Sequence, residues 1–252
     1  MNLKKLIVNA DDFGMTEGNS IATILCHETG IVTSTTMMVN MPYAPMAAKL
    51  AEKHPTLGLG IHLVLTVGRP LVDGAESFTD KNGNFRRPNS YEGGKPHADL
   101  EELYTEWKAQ IEKFIELTGH KPTHMDSHHH VHLQPWHMEV TKKLAQEYDL
   151  PVRLESFDDD YPYPHAYLTW GFYEDTANAD YFSDQNAFGL LEHEYAEVMC
   201  HPAFVDQRLL DMSSYNLPRA NEMQILRDPA TKNWLQEKGI TLTHYGHLQK
   251  KA

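Results

Sequence analysis

Asp11 and Asp12 stand side by side after the apolar run Leu6-Ile7-Val8-Asn9-Ala10 and ahead of Phe13-Gly14. An aspartate pair before glycine is a common turn and helix-cap signal. At the end of a buried strand it acquires a second meaning: neighbouring carboxylates pointing in different directions, one able to hold a metal ion and the other to reach a substrate. Imidazoles come from His62, in Gly60-Ile61-His62-Leu63, and from His124-Met125-Asp126-Ser127-His128-His129-His130-Val131-His132. On a strand, side chains alternate, so Asp126, His128, His130 and His132 are expected to share one face. Unpartnered polar groups cost roughly 1–3 kcal/mol each to bury, and a metal ion, or the water around it, removes that cost. One carboxylate with two histidines leaves coordination positions open for water and substrate, as a catalytic site requires and a structural one does not.

Elements must bring these distant residues together. Residues 6–10 read as a buried strand, and residues 17–29 as a helix with Ile21, Ile24 and Leu25 on one face and Gly30 as its stop. Residues 31–40 and 57–65 read as the second and third strands and residues 123–132 as the fourth. A helix opening with Pro135 in its first turn follows. Residues 98–117 carry Leu100, Leu103, Trp107, Ile111 and Phe114 at helical spacing, closed by Gly119 and Pro122. Residues 152–156, 196–201 and 240–244 complete seven strands alternating with helices, which implies a parallel sheet. Ligands of such sheets gather at the carboxyl ends of the strands, where the aspartates and histidines fall.

Two stretches lack periodicity. Residues 66–97 contain five glycines and three prolines, and residues 158–182 contain Tyr161, Tyr163, Tyr167, Trp170, Phe172, Tyr173, Tyr181 and Phe182. Loops of this length in a compact domain are functional or disordered. Aromatic rings suit the apolar faces of sugars, although for any single ring plain packing is the commoner role. No repeat or charged linker divides the 252 residues, so one domain, 1–252, with long loops at about 66–97 and 158–182 is expected.

The net charge of −13 argues against nucleic acid or an anionic membrane as partner. No apolar run reaches the roughly 18 residues of a membrane span, and the first residues lack the long apolar core of a signal peptide. Two cysteines, Cys26 and Cys200, are too few for a disulfide framework. A cytoplasmic protein is the expectation, with a homodimer as the base-rate assembly. The 16 histidines are the compositional anomaly.

Five segments, residues 8–14, 30–36, 60–66, 121–132 and 198–206, resemble the YdjC family, and within it most closely the chitooligosaccharide deacetylases. The resemblance runs in order from about residue 5 to residue 245. It implies a seven-stranded parallel β/α barrel of the polysaccharide deacetylase type. It also implies a divalent metal, Mg2+ first, with Zn2+ plausible in relatives; the residue types alone also admit Mn2+. By position the metal ligands fall on Asp12, His62 and His128 and the general base on Asp11. The implied reaction is removal of N-acetyl groups from small amino-sugar oligosaccharides such as diacetylchitobiose or its 6-phosphate.

Other roles follow from residue chemistry. His201 ends a strand and has a suitable intrinsic pKa to protonate a leaving amine. His130 and His132 are candidates for orienting the ligands. Arg153 is a candidate for orienting Asp11 or holding a phosphate, and Arg69, Arg86 and Arg87 are candidates for meeting a sugar phosphate. The competing readings are a metal-dependent phosphoesterase, whose sites gather more ligands and more metals, and a non-catalytic sugar-binding relative, which would need no base at Asp11.

Overall fold

A computed structural model of the chain describes residues 4–154, 161–183 and 190–251. At its centre lies β1 (Lys5–Phe13), in which every residue after Lys5 is buried. A near-continuous apolar run such as Leu6-Ile7-Val8 is what a parallel strand covered on both faces demands. β1 pairs with β2 (Ser34–Met37) along its second half, with β6 (Tyr195–Cys200) along its other edge, and with β7 (Thr241–Thr243) along its first residues. β2 pairs with β3 (Gly58–Leu63), β3 with β4 (Met125–Ser127), and β6 with β5 (Tyr167–Thr169). The order is β4-β3-β2-β1-β6-β5, with β7 attached to β1, and every pairing between these strands is parallel.

The sheet curls into a half-barrel. Strands lie about 4.8 Å apart, so β4 and β6 would be about 19 Å apart in a flat sheet. Yet one guanidinium, that of Arg153, reaches Asp126 on β4 at 2.9 Å and Glu197 on β6 at 2.7 Å. Helices surround the sheet: α1 (Glu17–Thr29), α2 (Ala44–Glu52), α3 (Leu100–Thr118), α4 (Met138–Tyr148), α5 (Gln207–Met212), α6 (Leu217–Arg227) and α7 (Pro229–Glu237). Thr16 caps α1 by accepting the Asn19 amide. Asp99 caps α3 by accepting the Glu101 and Glu102 amides, and Gly119, at φ 77°, ends it in the left-handed conformation glycine adopts without strain. Leu103, Trp107, Ile111 and Phe114 are all buried, as their spacing predicts.

Several expectations are corrected. The fourth strand stops at Ser127: residues 128–133 form a 3-10 turn in which His129 and His130 have φ of 56° and 52°. The chain leaves the sheet there, so Asp126, His128, His130 and His132 do not share a strand face. Pro135 precedes the next helix, which begins at Met138. Of the segment 152–156, Val152 makes an isolated parallel bridge to Met125, and residues 155–156 lie outside the described residues. The seventh strand is instead β5, from the aromatic stretch read as irregular. Of the expected α1 face Ile24 is buried, Leu25 half-buried and Ile21 exposed, and the buried side also takes in Asn19, Ala22, Thr23 and Cys26.

The long segment 66–97 is tied down by α3. Glu106 accepts the amides of Leu71 and Val72 at 2.9 and 3.0 Å, and Glu102 accepts that of Ser77 at 2.9 Å. Phe78 and Phe85 bury their rings beneath the segment, 5.6 Å apart. Arg69 donates to the Asn82 carbonyl, and Arg86 to the carbonyls of Thr79 and Glu76, so both guanidiniums brace the loop.

Candidate active site

A bulge in β1 brings both aspartates to one place. From Ala10 to Phe13 the strand advances three residues while β2 advances two, from Thr35 to Met37. Asp12 takes the extra position at φ 67°. In a regular strand Asp11 and Asp12 would face opposite sides. The bulge turns both toward the mouth of the half-barrel, and bulges beside functional sites re-aim side chains in this way.

Asp12 Oδ1 lies 3.3 Å from His62 Nε2 and 2.8 Å from His128 Nδ1, while Oδ2 accepts from Arg219 Nη2 at 2.7 Å. One ligand atom from each of Asp12, His62 and His128 lies within 4.8 Å of the others. His62 is held from behind: its Nδ1 donates to Asp126 Oδ1 at 2.6 Å, and Thr36 donates to Asp126 Oδ2 at 3.0 Å. A carboxylate on the far ring nitrogen fixes the tautomer and orientation of a ligating histidine. Burial alone would raise the Asp12 carboxyl, but Arg219 and His128 hold it well below the usual range. Burial opposes charge on His62, yet Asp126, Asp12 and Asp11 outweigh it and lift the ring to about 10.

Asp11 has a different partner, its two oxygens clamped by Arg153 Nη1 and Nη2 at 2.7 Å each. Asn9 donates to the same carboxylate at 2.9 Å. Burial pushes against ionisation of Asp11, but Arg153 keeps its carboxyl below the usual range. The Arg153 guanidinium is wholly buried and also bonds Asp126 and Glu197, so it orients Asp11 and has no donor to spare for a substrate phosphate. His132 does not touch the candidate ligands. Its Nδ1 meets Ser127 Oγ at 2.5 Å and its Nε2 meets the Arg153 carbonyl at 2.8 Å, so it steadies Arg153.

These residues suit a divalent ion. The buried carboxylates Asp11, Asp12, Asp126 and Glu197 outnumber the guanidiniums of Arg153 and Arg219 that pair with them. An excess of buried negative charge beside neutral histidines favours a cation there. A second acidic group, Asp11, His62 and Asp126, is also close-set. Both its carboxylates are already paired with Arg153, which leaves no place there for a further ion.

The triad opens into a cavity of about 340 Å³, walled by Trp170, Tyr173, His201, Tyr215 and Arg219. His201 follows the end of β6. Its amide donates to the buried Glu222, whose Oε1 lies 3.7 Å from His201 Nδ1 and accepts the Tyr215 hydroxyl. Tyr173 and Tyr215 stack at 4.2 Å, and Trp170 meets the His130 ring edge-on at 4.7 Å. In the aromatic stretch, Tyr161, Tyr163, Phe172, Tyr181 and Phe182 are buried packing residues, while Trp170 (45% exposed) and Tyr173 (37%) reach the cavity. A larger cavity, about 610 Å³, lies beside Leu57, Gly58 and His244 at the opposite end of the strands, away from the triad.

Sequence reasoning missed Arg219, Glu222, Thr36 and the role of Asp126. Asp126 had a signal, since it sits two residues before His128. Arg219 and Glu222 lie on α6, far along the chain and outside any pattern of strand-end residues.

The chain matches the family described as YdjC-like protein over residues 5–237. It is 38% identical to carbohydrate deacetylase 2 of Listeria innocua over 98% of this chain and 100% of that one. It is 41% identical to a carbohydrate deacetylase of Geobacillus stearothermophilus (97% and 98%) and 37% identical to a chitooligosaccharide deacetylase of Yersinia pestis (95% and 97%). Among solved structures, a candidate cellobiose-phosphate cleavage protein of Enterococcus faecalis superposes with a TM-score of 0.87 at 35% identity, covering 96% of this chain and 97% of that one. A family 4 carbohydrate esterase of Streptomyces lividans shares the fold at a TM-score of 0.51 and 10% identity, covering 99% and 97%. The chain belongs to the YdjC-like family.

Proposed function

We propose that the chain is a divalent-metal-dependent deacetylase that removes N-acetyl groups from small amino-sugar oligosaccharides such as diacetylchitobiose. The observation that carries this reading is the pairing, at one strand end, of a carboxylate grouped with two histidines and a second carboxylate held beside it by a buried arginine. The deacetylase names of relatives aligned over nearly the whole chain support it.

Asp12, His62 and His128 hold the ion in this reading. When bound it supplies Lewis acidity for the acetamide carbonyl and the attacking water. Asp11, kept ionised by Arg153, takes a proton from that water. Arg219 occupies Asp12 Oδ2 and leaves Oδ1 turned to the histidines. His201, backed by Glu222, gives a proton to the departing amine, and Trp170 and Tyr173 offer flat faces to the sugar. One carboxylate and two imidazoles accept magnesium, the first expectation, and also manganese or zinc. A cytoplasmic setting fits Cys26 and Cys200, both buried free thiols, and among the described residues no helix is long and apolar enough to cross a membrane. A homodimer is the base-rate assembly.

The test is incubation with N,N′-diacetylchitobiose and with its 6-phosphate, each with and without a chelator, measuring acetate, phosphate and free amine. The expected result is acetate and amine in equal amounts, lost on chelation and restored by one equivalent of divalent ion per chain. Release of phosphate from a sugar phosphate without acetate would establish the phosphoesterase reading instead, and sugar binding with no product would establish the non-catalytic one.

A further inference from the structure

One side chain links the turn after the last strand to the site at the mouth of the half-barrel. β7 pairs with the first residues of β1, from Lys5 to Ile7, and the chain then makes a 3-10 turn (Tyr245–His247). His244 fixes that turn by accepting the Gly246 amide at 3.1 Å. Tyr245 is thereby carried inside, 2% exposed, and its ring stacks on that of His124 at 4.1 Å. Gly60 on β3 makes room for the pair, since a Cβ there would lie 2.4 Å from the His124 ring. The Tyr245 hydroxyl donates to Glu197 Oε2.

Glu197 stands on β6 opposite Ile7 of β1, deeper in the sheet than Asp11, and its other oxygen, Oε1, accepts from Arg153 Nε and Nη2 at 2.9 and 2.7 Å. Arg153 in turn clamps both oxygens of Asp11. An unbroken line of hydrogen bonds therefore runs from Tyr245 through Glu197 and Arg153 to Asp11, and all four residues are buried. Burial opposes charge on Glu197 and lifts its carboxyl above the usual range, against the pull of Arg153 and of the Tyr245 hydroxyl. A hydroxyl that donates to a carboxylate favours its ionised form. Without it Glu197 leans toward neutrality, Arg153 loses the anion on its side away from Asp11, and the guanidinium can tilt and carry Asp11 with it. Buried networks hold one geometry only while every member is satisfied.

We propose that Tyr245 is a positioning residue for the hydrolysis: through Glu197 and Arg153 it fixes the direction in which Asp11 meets the attacking water. The proposal rests on the deacetylase reading and deepens it, extending the working parts of the site to the turn after β7. Tyr245 reaches neither the triad nor its cavity, so its loss acts on the chemical step and belongs in kcat, not in KM.

Tyr245→Phe keeps the ring on His124 and removes only the hydroxyl. It should lower kcat for acetate release from N,N′-diacetylchitobiose about tenfold or more, with KM held and the metal content found by elemental analysis unchanged. Glu197→Gln should lose as much, and adding Tyr245→Phe to it should cost nothing further, because the link is already cut. Losses that multiply, an unchanged kcat in either single variant, or a loss of metal that matches the loss of activity overturn the proposal. If Tyr245→Phe does not fold, Glu197→Gln carries the test, and normal turnover in it is enough to refute the link. A second readout needs no turnover. The Nε–H resonance of Arg153 in a nitrogen-15 spectrum, identified by its absence from Arg153→Lys, should move in Tyr245→Phe. A moved resonance in a protein that releases no acetate sinks the deacetylase reading alone, whereas acetate release with a resonance that stays in place sinks the role of Tyr245 alone.

Discussion

Asp11 and Asp12 are chemically identical and adjacent, yet their surroundings assign them opposite duties. Asp12 is ringed by two imidazoles and one guanidinium, while Asp11 is locked to Arg153. Asp11→Asn should cut acetate release by roughly 10²–10⁴-fold while elemental analysis finds the metal retained, and near-normal turnover would remove Asp11 as the base. The same change leaves a buried guanidinium short of a partner, so the melting midpoint should fall as well. Asp126→Asn frees the back of His62 and should weaken metal affinity about 10–100-fold, measured by titration against a chelating dye; unchanged affinity would make that contact incidental. His201→Ala should slow amide hydrolysis far more than hydrolysis of an aryl acetate, whose leaving group needs no proton, and equal slowing would rule it out as the acid. At this scale residue type was legible in the sequence, since carboxylates and imidazoles at strand ends stand out. Partnership was not. Nothing in the sequence shows that Arg153 is saturated by three carboxylates or that Arg219 and Glu222 arrive from α6.

The elements explain which expectations held. α1, α3, β1 and β6 were legible because an apolar run or helical period coincides with a cap or a stop. β4 was misjudged in length because the left-handed residues His129 and His130 carry no glycine to announce the turn. β5 was hidden by its aromatic neighbours, which pack the segment on either side of a three-residue strand. The segment 66–97 looked featureless because what orders it is donated by α3. Glu106→Ala should therefore expose residues 70–95 to limited proteolysis and lower the melting midpoint, while leaving bound metal intact. An unchanged digestion pattern would show that Phe78 and Phe85 suffice to hold the loop.

Across the whole molecule, pH acts through histidines buried in neutral form. Burial pushes His124 down to about 3 and His132 down to about 4, against an unfolded value near 6.5. Their sign is that of a depressed base: the stabilisation is complete above 6.5 and is lost as pH falls from 6.5 toward 4 and then 3, because the unfolded chain takes up the protons first. At pH 5 each should cost about 2 kcal/mol, or roughly 4–8 °C of melting midpoint apiece in a chain of this size. Thermal melts between pH 7 and 5, with chelator present throughout so that metal loss plays no part, measure this. A flat profile would mean these rings are not held neutral.

β1 is flanked by β6 on one edge and by β7 and β2 along the other, and β6 and β7 come from late in the chain. At about 5–20 residues per second of synthesis, Ala10 waits on the order of ten to forty seconds for Cys200, its neighbour across the β1–β6 ladder. Throughout that wait the central strand has a bare edge, and for most of it the two aspartates have neither Arg153 nor Arg219 to neutralise them. The ribosome therefore delivers the heart of the enzyme first and its completion nearly last. Such sequence-distant pairing makes for slow folding and for dependence on whatever shields the nascent strand in the meantime.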